Sequence, residues 1–194
     1  MHTQRLDDAI SFAIHEFRGR ARKGTPVPYV THLLSVMCLV SEYGGDEDQM
    51  IAAVLHDWLE DVPGSEPSLL EARWGARVRR LVEALTDATT HPKPPWRPRK
   101  EAYIAHLRDA PDEVKLISAA DKLHNAGSIR RDLVLVGDDV WSRFSVPRDE
   151  TLWYYRAVVE ALHHRWTHPL GDLLVREVDA LHHDAFPREA RVPR

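Results

Sequence analysis

The chain is poor in several things, and each shortage removes a class of explanation. Among 194 residues there is one cysteine, Cys38. A lone thiol forms no intrachain disulfide and builds no Cys-based zinc site. Cys38 lies in the apolar run Ser35-Val36-Met37-Cys38-Leu39-Val40 and is expected to pack as a small buried hydrophobe. No apolar run approaches the ~20 residues of a membrane helix. The amino terminus carries Arg, Asp and Glu where a signal peptide would be apolar. The expected compartment is therefore the cytoplasm, with no membrane partner. There is no basic excess either: 26 Lys and Arg face 30 Asp and Glu, a net charge of -4. A nucleic-acid partner is not expected, whereas a small anionic ligand needs only a local cationic cluster. No segment of useful length alternates apolar with polar residues, and no solenoid-type repeat is present.

What is there is helical periodicity. Leu6, Ala9, Ile10, Ala13, Ile14 and Phe17 recur at spacings of three and four, one face of a helix. A second helix is expected from Thr31 to Tyr43, stopped by Gly44-Gly45. Asp46 is placed to cap a third, running through Met50 and Leu55 to Leu59. Short helices follow over 68–74 and 76–85. The stretch from His91 to Lys100 holds four prolines and is read as a basic working loop. Further helices are expected at 103–107, 114–123, 138–144, 153–164 and 173–181. The tail after Phe186 is expected to fray. The predicted fold is all-α: one compact helical domain over residues 1–194, with its core in about 1–165.

The chain has twelve histidines. His163-His164, His168 and His182-His183 are expected at the surface, because adjacent histidines on a helix point apart. His56-Asp57 differs. Glu60 and Asp61 follow it, and on a continuous helix His56 would share a face with Glu60, and Asp57 with Asp61. Leu55 and Trp58 make this a poor solvent face, and burying four ionisable groups is costly unless they bind something. His32 opens an apolar helix, and Asp121 follows the small residues Ala119 and Ala120, which permit close helix packing. Together His32, His56, Asp57 and Asp121 offer two imidazoles and two carboxylates. That donor set is compatible with manganese, iron or zinc, and less so with calcium.

The order H…HD…D resembles the HD superfamily of metal-dependent phosphohydrolases. The fuller text narrows the resemblance. Arg22-Lys23, Pro28-Tyr29-Val30-Thr31-His32, His56-Asp57-Trp58-Leu59-Glu60-Asp61 and Ala120-Asp121-Lys122-Leu123-His124-Asn125 resemble the hydrolase domain of RelA/SpoT enzymes. They resemble the single-domain small alarmone hydrolases still more. Gly75-Ala76-Arg77-Val78 and Leu85-Thr86-Asp87 also look like this family. The resemblance implies that His32, His56, Asp57 and Asp121 bind one metal ion, usually Mn2+. It implies that Glu60-Asp61 activates or positions the attacking water. It also implies that Arg22 and Lys23 contact the base and phosphates, with Asn125 near the nucleoside. The expected reaction is removal of the 3′-pyrophosphate from (p)ppGpp-like nucleotides, with guanine or adenine as base. A chain of this length leaves no room for a synthetase module, so it is expected only to degrade alarmone.

A polyphosphate substrate needs cations beyond the metal. Arg99, Lys100 and Lys122 are candidates, and Tyr155 is expected near the nucleotide. The alternatives are another HD phosphohydrolase (a 5′-nucleotidase, a dNTPase or an NADPH phosphatase) and a non-catalytic nucleotide-binding module. A homo-oligomer, and an alarmone-synthetase toxin as cellular counterpart, are compatible with this reading.

Overall fold

Short-range chemistry sets most helix ends. The computed structural model describes residues 3–90 and 92–186; the expected fraying of the tail concerns 187–194, outside the described residues. Helix α1 (Gln4–Glu16) starts at Thr3, whose side chain accepts a hydrogen bond from the Arg5 N–H. Its buried stripe is Leu6, Ala9 and Ala13, continued by Phe17 just past its end. Helix α2 (Val30–Glu42) ends where Gly44 takes a left-handed φ of 87° and the Gly45 N–H donates to the Val40 carbonyl at 2.8 Å. A side chain at Gly45 would collide with Val40, so the Gly-Gly pair is a steric requirement as well as a stop signal. Helix α3 (Glu47–Leu55) opens on a complete capping box between Asp46 and Gln49.

Helix α3 is the centre of the molecule. Its residues Ile51, Ala52, Ala53, Val54 and Leu55 are all fully buried, as a helix apolar on every side must be. It packs against α1, α2, α6 (Ala76–Leu85) and α8 (Asp112–Val136). The four-residue α4 (Trp58–Asp61) and α5 (Pro67–Trp74) connect α3 to α6. Helix α8 is the second spine and packs on α2, α6 and α10 (Pro169–Ala185). Arg130 on α8 bonds Glu177 and Asp184 on α10. A 3-10 turn (Gly137–Arg143) and α9 (Arg148–Leu162) complete the order. Among the described residues there is no strand, only one isolated bridge between Ala21 and Pro28. Among the described residues no helix is long and apolar enough to cross a membrane.

Four local expectations are corrected. Cys38 is exposed, because the buried positions of α2 are His32, Leu33, Val36 and Val40, and Cys38 falls on the other face. The helix carrying His56 does not continue to Leu59. It breaks at His56-Asp57, where Asp57 has φ -93° and ψ 0°, and restarts as α4. The proline-rich stretch turns helical at Trp96: α7 runs from Trp96 to Arg108. Pro98 lies in its first turn, where a backbone N–H has no intrahelical partner to lose. Finally, α8 spans 25 residues, extending well past Leu123 to a positive-φ stop at Gly137.

Candidate metal centre and adjoining cleft

Three segments deliver the predicted ligands to one point. His32 sits in the first turn of α2, His56 and Asp57 at the α3–α4 break, and Asp121 midway along α8. His56 Nε2 lies 3.1 Å from Asp57 Oδ2 and 3.6 Å from Asp121 Oδ1. His32 Nε2 lies 3.2 Å from Asp121 Oδ1 and 3.6 Å from Asp57 Oδ2. His32, His56 and Asp57 alone offer ligand atoms all within 4.8 Å of one another. Asp121 joins them through its contacts with both imidazoles.

The hydrogen bonds fix which atoms face inward. His56 Nδ1 donates to the Ala53 carbonyl at 2.7 Å, so in the neutral imidazole a ligand needs, Nε2 is the lone pair. That Nε2 is buried and has no hydrogen-bond partner among the described residues. A lone pair held against two carboxylate oxygens requires positive charge between them, so the donor set fits a divalent cation. His32 is held in the same way, its Nδ1 lying 2.8 Å from Nδ1 of His124. Burial first, then the charges of His32 and Arg22, push His124 down to about 4, so it is neutral near pH 7 and can accept from His32. The Tyr29 hydroxyl donates to Asp57 Oδ2 at 2.6 Å, and the Asn125 amide donates to Asp121 Oδ1 at 2.5 Å. Lys122 pairs with the other Asp121 oxygen.

The electrostatics point the same way. Burial works to raise the pKa values of Asp57 and Asp121, yet the imidazoles, and Lys122 beside Asp121, hold both well below the usual carboxylate range. Burial likewise works to lower His56, but Asp57 and Asp121 outweigh it and the net direction is upward. The two carboxylates thus stay ionised and face positive charge, the setting in which a divalent cation fits the donor set.

Glu60 and Asp61 diverge from this point. Lys93 bridges them, 2.7 Å from Glu60 Oε1 and 3.1 Å from Asp61 Oδ1. Burial first, then the carboxylates of Asp87 and Asp57, raise the Glu60 pKa above its ordinary value. Asp61 faces a cleft of about 410 Å3, a volume in the range of small-molecule sites. Arg22, Lys23, Asn125 and Tyr155 also line this cleft. The loop that carries Arg22 is pinned by backbone bonds from the Arg22 N–H to the Val27 carbonyl and from the Tyr29 N–H to the Arg20 carbonyl. The Arg22 guanidinium lies over the Tyr29 ring and bonds the Asn125 side chain. Asn125 thus links the cleft to Asp121.

Not every predicted substrate contact lies there. Arg99 and Lys100 sit on α7 and turn to Asp87, a carboxylate only 4 % exposed. Lys122 is mostly buried beside Asp121, not on the surface. These three stand away from the cleft lining. Conversely, Tyr29, Lys93, Asp87, His124, Arg131 and Arg143 contribute to the site, and the sequence suggested no role for them. Two of these had a usable signal. Tyr29 precedes His32 by three residues and His124 follows Asp121 by three, a spacing that stacks side chains on one helix face.

Comparison with known proteins follows the same outline. A family model described as an HD domain matches residues 9–149. The chain is 35% identical over 129 residues to a mouse protein, guanosine-3′,5′-bis(diphosphate) 3′-pyrophosphohydrolase MESH1, covering 65% of this chain and 70% of that one. The human protein of the same name is 34% identical over 144 residues, covering 73% and 76%. The bifunctional (p)ppGpp synthase/hydrolase SpoT of Escherichia coli is 33% identical over 138 residues, which is 66% of this chain and 19% of that larger protein. A solved structure, described as a metazoan ortholog of SpoT that hydrolyses ppGpp, superposes with a TM-score of 0.77 at 27% identity, covering 94% of this chain and 97% of that one.

Proposed function

The chain belongs to the HD domain family, and from that premise we propose that it is a metal-dependent 3′-pyrophosphohydrolase of guanosine 3′,5′-bis(diphosphate)-type nucleotides. The observation that carries this reading is the junction of two features. The His32–His56–Asp57–Asp121 cluster adjoins a cationic cleft large enough for a nucleoside, with Asn125 bonded to both sides. The relatives named above are pyrophosphohydrolases of that nucleotide.

His32, His56, Asp57 and Asp121 would hold the cation, for which we propose Mn2+ on the mixed imidazole and carboxylate donors. When bound, a divalent ion supplies Lewis acidity at the phosphoryl group and activates water near neutral pH. The rest falls to the chain's own residues. Arg22, Lys23, Asn125 and Tyr155 receive the nucleoside and its 5′-phosphates; a guanidinium can both stack on a base and bond phosphate. Glu60 takes a proton from the attacking water, a task its raised pKa suits. Asp61, tied to Glu60 through Lys93, orients that water. The water oxygen bonds to the 3′-phosphorus, the bond from phosphorus to the ribose 3′-oxygen breaks, and the 3′-oxygen leaves as a hydroxyl after taking a proton. The products are pyrophosphate and the 5′-phosphorylated nucleoside. Arg99, Lys100 and Lys122 shape the site from the α7 and α8 side. We read residues 1–194 as one unit with its HD core in about 1–165, and place it in the cytoplasm.

Incubation of the Mn2+-loaded protein with ppGpp, ppApp, a 5′-nucleotide and NADPH, with products resolved by anion exchange, tests this reading. The expected outcome is pyrophosphate and GDP in equal amounts from ppGpp. Orthophosphate from the 5′-nucleotide or NADPH, with no pyrophosphate from ppGpp, would overturn it.

A further inference from the structure

The segment Pro92-Lys93-Pro94-Pro95 joins α6 to α7 without regular structure from Lys93 onward. It lines neither the metal cluster nor the nucleotide cleft. Each proline holds its own φ at about -65°, and Pro94 and Pro95 also keep the residue before them extended. All four positions are therefore restricted before the chain folds, and fixing the segment loses little entropy. The side chain set between these prolines is Lys93. Its ammonium lies 2.7 Å from Glu60 Oε1 and 3.1 Å from Asp61 Oδ1. Among the described residues no other side chain contacts both carboxylates.

The acidic pair needs such a tether. Glu60 and Asp61 end α4, which has four residues and is too short to be rigid by itself. The two carboxylates are neighbours in sequence and repel each other. They also serve different spaces. Glu60 lines a recess together with His56, Asp57 and Asp121, whereas Asp61 lines the nucleotide cleft. Lys93 takes one oxygen from each. Arg99 approaches Glu60 at the same Oε1, 3.9 Å away. The second oxygen of each carboxylate has no hydrogen-bond partner among the described residues. Of the four oxygens, two are held and two are left to work.

We propose that Lys93 is a positioning residue for hydrolysis, and that the proline-rich segment is the rigid arm that aims it. By clamping Oε1 of Glu60 and Oδ1 of Asp61, it makes Glu60 Oε2 the atom that takes the proton and Asp61 Oδ2 the atom that orients the water. The proposal rests on the roles given to Glu60 and Asp61 above. Lys93 acts through these two carboxylates. Loss of its ammonium leaves the metal ligands and the cleft in place and lets the pair move apart, so turnover falls while nucleotide affinity does not.

The test is steady-state kinetics of the Mn2+-loaded full chain on ppGpp, ppApp, a 5′-nucleotide and NADPH. Wild type, Lys93→Met, Lys93→Arg, Glu60→Gln and the double variant Lys93→Met/Glu60→Gln are compared, with metal content and GDP affinity measured for each. On whichever nucleotide is hydrolysed, Lys93→Met is expected to lower kcat about tenfold or more, with KM, GDP affinity and metal content within about twofold of wild type. Lys93→Arg keeps the charge and is expected to recover most of kcat. A residue that only braces the loop costs the same factor with or without Glu60, whereas one acting through Glu60 costs little once Glu60→Gln is present. Wild-type kcat in Lys93→Met, no recovery in Lys93→Arg, or an equal loss in both backgrounds would overturn the proposal, even if ppGpp is hydrolysed. If ppGpp stays intact but another nucleotide is hydrolysed with this dependence on Lys93, the positioning role stands and the proposed function fails. Hydrolysis of none of the four overturns both.

Discussion

Glu60 is half-buried, and burial first, then the Asp87 and Asp57 carboxylates, push its pKa above its ordinary value. A general base works only when ionised. The rate, kcat/KM, therefore climbs as pH rises through that elevated value and is lost below it, where Glu60 is protonated. Glu60→Gln is expected to keep the metal, lose on the order of 10²–10⁴-fold in rate, and lose that acidic limb. Paired pH–rate profiles check this; a variant with the wild-type limb would reassign the base. At this scale the metal ligands were legible, because His and Asp beside apolar helix stretches are costly without a purpose. Lys93 and Asp87 were not. Lys93 sits in a proline-rich loop with no periodicity to aim it, and Asp87 acquires its neighbours only when α7 folds over it. The exposure of Cys38 is not legible in the sequence, because an apolar run does not say which of its residues face inward.

Among the elements, α3 depends most on its ends. It is short, fully buried through Ile51–Leu55, and must present His56 at its last turn. Its Asp46–Gln49 capping box anchors the start, and Asp46 also meets Arg77 of α6 at 2.7 Å. Asp46→Ala is expected to cost about 1 kcal/mol, the ordinary value of a lost cap, or roughly 2–4 °C in Tm for a chain of this size. Thermal melts followed by circular dichroism measure it, and an unchanged Tm would show that the cap contributes nothing. Caps and glycine stops were readable in the sequence because they act within a few residues. The break at His56-Asp57 was not, since neither Gly nor Pro marks it. The His56 bond to the Ala53 carbonyl and the inward turn of Asp57 accompany it, and those belong to the tertiary site. The start of α7 was hidden by its prolines, which disfavour a helix interior but suit a first turn.

Over the whole molecule, residues 32, 56, 57 and 121 converge through the packing of α2, α3 and α8. The all-α class and the order of helices follow from periodicity alone. The convergence does not: it depends on contacts between helices far apart in the chain, and in the sequence only the family resemblance implies it. The cleft sized for a nucleoside reaches this point through Tyr29 and Asn125, which line it and bond Asp57 and Asp121. The account therefore stands or falls on a cation held by these four residues. Metal content by inductively coupled plasma mass spectrometry, after loading with Mn2+ and removal of excess, tests this most directly. The account predicts about one ion per chain in the wild type and far less in His56→Ala and in Asp121→Ala, with helical circular dichroism retained. Full metal occupancy in both folded variants would contradict it.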